Sequence, residues 1–67
     1  MKIEGVEVTR DDVDQLVTYV PSHVSARRNR EVGRITSVTE HAVFVRYGED
    51  TGSKATPPKL LRWGNHG

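Results

Sequence analysis

Val43, Val45 and Tyr47 recur at every second position of the run Val43–Tyr47. That period suits a half-buried strand and not a helix, whose apolar positions return every three or four residues. Upstream, Ile35 and Val38 mark a partner strand, and Thr39-Glu40-His41 supplies a polar break between the two. The stretch Glu31–Tyr47 therefore reads as a β-hairpin around which the rest of the chain is arranged. Ile35 and Val38 are three apart and cannot share a face of a regular strand, so a bulge is expected near Ser37. Gly33, inside the same strand, signals a bulge or a sharp bend. Strongly bent strands are what a small closed sheet requires, and the expectation is a small all-β barrel.

The flanking segments fit this plan. Lys2 to Val8 alternates weakly, with Val6 and Val8 on one face and Gly5 interrupting, and reads as an edge strand or an ordered arm. Thr9 followed by Asp12 resembles a capping pair, which predicts a short helical turn over residues 10–14. Leu16 to Val20 is rich in strand formers and ends at Pro21, which cannot donate to a ladder. Residues 21–30 show no periodicity and read as a loop, as do the polar residues 48–53. Lys54 to Thr56 is long enough for a short strand, and Thr56-Pro57-Pro58 looks like a cap followed by a proline-started turn. Leu60, Leu61 and Trp63 form a last strand before a frayed tail at 64–67. The division is an extension or edge strand at 1–10, a barrel at 11–63 and the tail.

Sixty-seven residues without cysteine leave no disulfide or thiolate zinc site to brace the fold. A chain of this size buries only about 60% of the surface it exposes when unfolded, so the core must be assembled economically from Ile, Val, Leu and aromatic residues. A hydrophobic fraction of 34% with 28% charged residues suits a globular domain. No apolar run approaches the roughly 20 residues that span a bilayer, and the N-terminus lacks the order of a secretory signal. The expectations are no membrane partner and a cytoplasmic location.

Five short strands, one long polar loop after the first, a tight central hairpin and a proline-started turn before the last strand match an SH3-like barrel. The runs LVTYVPSH, GRITSVTEHAVFVRYGED and ATPPKLLRW, spanning about residues 13–63, resemble a group of small uncharacterised proteins from bacteriophages and bacterial prophage regions. The resemblance rests on the strand pattern and on the Tyr-Val-Pro and Val-Arg-Tyr-Gly tags. It implies an SH3-like fold, a phage or prophage origin and residence in a bacterial host's cytoplasm. It implies no activity and supplies no functional residues.

Catalytic signals are weak. The loop Gly48-Glu49-Asp50-Thr51-Gly52-Ser53-Lys54 has the wrong spacing and order for a phosphate-binding loop, and its carboxylates would repel phosphate. His23, His41 and His66 are scattered, and no serine or threonine is singled out as a nucleophile. Asp11, Asp12 and Asp14 are as well explained by an exposed acidic first turn as by a cation. The chain is read as a non-enzyme without cofactor or metal.

Arginine is the sharpest feature. Arg27, Arg28, Arg30 and Arg34 fall within eight positions, and guanidinium meets phosphate oxygens in a bidentate geometry that lysine lacks. If Val43, Val45 and Tyr47 face inward, Phe44 and Arg46 face outward, and Ile35 inward turns Arg34 outward beside them. Phe44 flanked by Arg34 and Arg46 would form a base-stacking platform, with Lys54 in support. In the competing arrangement, which is preferred, Ile3, Val6 and Val8 fold over Phe44 and acidic residues of that segment pair with Arg34 and Arg46. Tyr19 and Trp63 read as core or rim packing. Residues 1–14 carry two basic and five acidic side chains (net −3), the remainder eight and four (net +4). The partner expected is nucleic acid. The alternative is a protein-interaction module that engages a host or phage protein or its own copy.

Overall fold

The computed structural model describes residues 1–21 and 29–66. Strands β1 (Lys2–Ile3) and β2 (Val6–Glu7) form a hairpin of their own. Strands β3 (Leu16–Tyr19), β4 (Glu31–Val38), β5 (Val43–Tyr47) and β6 (Lys54–Thr56) follow as an antiparallel meander, and β7 (Leu61–Trp63) returns to pair with β3. The order β6-β5-β4-β3-β7 gives one five-stranded sheet, curled into a half-barrel.

The period-two pattern of β5 is realised as expected. Val43, Val45 and Tyr47 are buried, Phe44 is half-buried and Arg46 is exposed. On β4 the pairing shifts between Ile35 and Ser37: Ile35 faces Val45, then Ser37 faces Phe44 and Val38 faces Val43. Thr36 is the extra residue. Its insertion reverses the alternation, so Ile35 and Val38 both reach the inner side although they are three apart. Gly33 faces Tyr47 across the ladder, and a Cβ there would lie 2.5 Å from the Arg46 carbonyl oxygen and 2.7 Å from Val45 Cγ1. The glycine thus allows β4 and β5 to approach more closely than any side chain would permit.

The core joins Val17, Ile35, Val43, Val45, Tyr47 and Leu61 of the sheet to Ile3 and Val8 of the N-terminal segment. That segment folds back on itself as a hairpin packed on the sheet. Glu4 (φ +50°) and Gly5 (φ +81°) both lie in the left-handed region, which makes the tight two-residue turn favoured between twisted antiparallel strands. Folding back this way buries Ile3 and Val8 but leaves Val6 56% exposed, so the two valines do not share a face. The hairpin docks beside β7, where the Trp63 indole N–H donates to the Ile3 carbonyl (2.8 Å) and the Trp63 main-chain N–H to the Glu4 carboxylate (2.6 Å). An edge donor that a further strand could otherwise recruit is thereby satisfied.

Two 3-10 turns punctuate the chain. The first, Arg10–Asp12, carries the expected reciprocal cap: the Asp11 N–H donates to Thr9 Oγ1 (3.2 Å) and the Thr9 N–H to Asp12 Oδ2 (2.8 Å). The second, Pro58–Leu60, is capped by Pro57 rather than Thr56. Thr56 is drawn inward instead, its hydroxyl 2.8 Å from the Tyr47 hydroxyl in a buried contact. Residues Gly64–His66, read from sequence as a tail, lie over the outer side of β3. Thr18, fully buried there, donates to the Gly64 carbonyl (2.7 Å) and accepts from the His66 N–H (2.9 Å). Both capacities of a buried hydroxyl are met. Among the described residues no helix is long and apolar enough to cross a membrane.

Candidate nucleic-acid interface

Arg34 and Arg46 are exposed and face one another as register partners on β4 and β5. Leu16 extends the same row onto β3. With Val32, Gly33 and Gly48 these residues line a shallow cleft of about 220 Å³. The Gly33 close approach sits beneath it, so the two guanidiniums are anchored on strands that cannot drift apart without opening the core. Asp14 adopts φ +77°, a conformation aspartate tolerates better than most residues, and its carbonyl accepts from Arg34 Nη1 at 2.8 Å. That contact orients Arg34 and supplies no negative charge.

Like charges directly opposite on a sheet are destabilising. Among the described residues neither Arg34 nor Arg46 has a carboxylate within ion-pairing distance; the pairs present are Met1–Glu7 (2.9 Å) and Asp50–Lys54 (3.9 Å). The acidic partners expected from the N-terminal segment are engaged elsewhere. Glu4 holds the Trp63 N–H, and the Met1 ammonium, by hydrogen bond and charge, keeps the Glu7 carboxyl below its ordinary value.

Phe44 lies on the same outward side, between Ser37 of β4 and Ala55 of β6, and is half-buried. The expectation that Ile3, Val6 and Val8 cover it is corrected. Ile3 and Val8 pack with Val43 and Val45, on the opposite side of β5, and Val6 is exposed. Alternation along the strand places that packing on the face away from Phe44.

The other sequence candidates do not join this face equally. Arg27 and Arg28 lie outside the described residues. Arg30 is half-buried and its Nη1 donates to the His66 carbonyl (2.8 Å), which ties it to the C-terminal segment. Lys54 reaches toward Asp50 from the exposed β6. The structure brings together Arg34, Arg46 and Phe44, then, on the part of the outer sheet surface that Gly64–His66 leave open. Among the described residues no group of three or more His, Asp or Glu side chains is placed to hold a metal ion.

One surface feature was not anticipated. Tyr19 and Tyr47 meet edge to face, ring centroids 6.2 Å apart at 66°, in a groove of about 270 Å³ between the ends of β3, β4 and β5 and the strand β6. Burial raises the Tyr47 phenol above its ordinary pKa, against the opposing effect of its hydrogen bond to Thr56. The only sequence signal for this groove was an aromatic residue at the same end of two strands, and it acquires meaning only once their register is known.

No protein-family model, curated protein or solved structure matches the chain.

Proposed function

We propose that this protein is a non-enzymatic binding module, of phage or prophage origin, that holds nucleic acid on the outer surface of β4 and β5. The SH3-like reading is supported by the meander of four strands, the 3-10 turn before the fifth and the return of that strand to the first. The phage origin is supported by the resemblance across residues 13–63.

One observation carries the ligand class. Two arginines stand opposite each other with no carboxylate among the described residues to neutralise them, beside a half-buried phenylalanine. A phosphodiester backbone relieves the like-charge repulsion through bidentate hydrogen bonds, and a base stacks on the ring. Single-stranded nucleic acid suits this arrangement best, because its bases are free to reach an aromatic ring.

The test is a fluorescence-anisotropy titration with a labelled single-stranded oligonucleotide at 50 and 200 mM salt. Two phosphates neutralised by Arg34 and Arg46 give a slope of log K on log salt of about −1.4 for single strands, a loss of roughly sevenfold across that interval. The Arg34→Ala/Arg46→Ala double variant is expected to lose most of this slope while melting at or above the wild-type temperature, since a repulsive pair has been removed. Absent binding, or binding indifferent to salt, refutes the proposal.

A further inference from the structure

We infer that the Tyr19–Tyr47 groove is a second binding site, for a basic segment of a protein partner, whose lysine or arginine side chains lie against the tyrosines with their charge toward Glu31. The groove is distinct from the arginine face. It is lined by Tyr19, Glu31, Tyr47, Lys54, Thr56 and Pro57, among others, and shares none of its lining residues with the cleft around Leu16, Arg34 and Arg46.

Three observations select the occupant. First, the walls are aromatic and pre-set. The Tyr47 hydroxyl is held by Thr56 at 2.8 Å in a buried contact, and the Tyr19 ring sits against Tyr47 in a fixed edge-to-face pose while staying partly open to solvent. Aromatic faces attract cations through the ring quadrupole. Second, the groove runs on past Tyr47 and Glu31 into a further cleft lined by Glu31, Val32, Gly48, Glu49 and Asp50. Among the described residues three carboxylates border the combined channel against one cation, Lys54, whose ammonium is 3.9 Å from Asp50. Among the described residues Glu31 and Glu49 form no ion pair, and the described lining carries net negative charge. Third, two clefts that share Glu31 and Tyr47 accommodate an extended run of residues rather than one side chain. The carboxylates that favour a basic peptide repel a nucleic-acid backbone at this end, and the acidic cleft meets the arginine cleft at Val32 and Gly48.

The experiment is an NMR titration of the full chain with a blocked hexapeptide of alternating lysine and serine, and with its glutamate-for-lysine counterpart. Saturable shifts centred on Tyr19, Glu31 and Tyr47 are expected with the lysine peptide and none with the glutamate peptide. Glu31→Gln removes a surface carboxylate at little structural risk and is expected to weaken binding about fivefold or more, with Tyr19→Leu weakening it similarly through the lost cation–π contact. Oligonucleotide binding by Glu31→Gln stays at the wild-type level or rises slightly, so failure here and failure at the arginine face are read separately. Shifts that fall elsewhere, equal response to both peptides, or a Glu31→Gln variant that binds the lysine peptide as well as wild type would overturn the inference.

Discussion

Replacing Gly33 with alanine tests the contact that holds the sheet together under the arginine face. The added Cβ meets the Arg46 carbonyl oxygen at 2.5 Å, Val45 Cγ1 at 2.7 Å and Tyr47 Cδ1 at 2.9 Å. The nearest of these is backbone, so relief requires β5 to move rather than a side chain to rotate. Overpacking of this kind costs about 1–3 kcal/mol, and a backbone clash belongs at the upper end. Gly33 does not occupy the left-handed region, so alanine recovers about 0.4–1 kcal/mol through a less disordered unfolded chain. The net loss is about 2 kcal/mol. A 67-residue chain has a total stability of about 3–10 kcal/mol, so the loss is a large share of it. For a domain of this size it lowers Tm by roughly 8–16 °C, which a circular-dichroism melt resolves easily. Gly52→Ala is the control, because nothing lies within 4 Å of a Cβ there. A Gly33→Ala melt within about 4 °C of wild type, or equal to that of Gly52→Ala, would refute the close-approach argument.

Two further outcomes follow from the buried Tyr47–Thr56 pair. Thr56→Val is expected to cost about 1–3 kcal/mol in urea unfolding by leaving the Tyr47 hydroxyl unpartnered, and Tyr47→Phe/Thr56→Val less than the sum of the single changes; strict additivity would show that the bond is not formed. Because burial raises the Tyr47 pKa in the folded state, the unfolded chain releases that proton first. The associated stability is fully present below the unfolded value of about 10 and is lost as pH rises through the folded value. Urea midpoints measured across that range should fall for wild type and more shallowly for Tyr47→Phe, and identical slopes would count against a buried phenol.

Much of the sheet was legible from residue order because a strand writes its two faces into alternate positions. Val43, Val45 and Tyr47 point inward and Arg46 outward as their spacing requires, and the mismatch between Ile35 and Val38 announced a bulge before any pairing was known. The Thr9–Asp12 cap was equally local, a donor and an acceptor three residues apart. By contrast, the hairpin within Lys2–Val8 was not legible, because Gly5 reads the same whether it interrupts a strand or closes a hairpin. Thr56 was misjudged because its hydroxyl preferred a buried partner nine residues away to the turn beside it.

By itself, then, residue order determined which side chains of the central hairpin face inward and where its ladder must break, since both depend on neighbours along one strand. Only the tertiary structure decided that Arg34 stands opposite Arg46, that the N-terminal hairpin packs on the side away from Phe44, and that Tyr19 and Tyr47 frame a groove with Glu31. The physical reason is that these relations cross between strands: register and sheet curvature set them, and both arise from the sum of core packing rather than from any short stretch of chain.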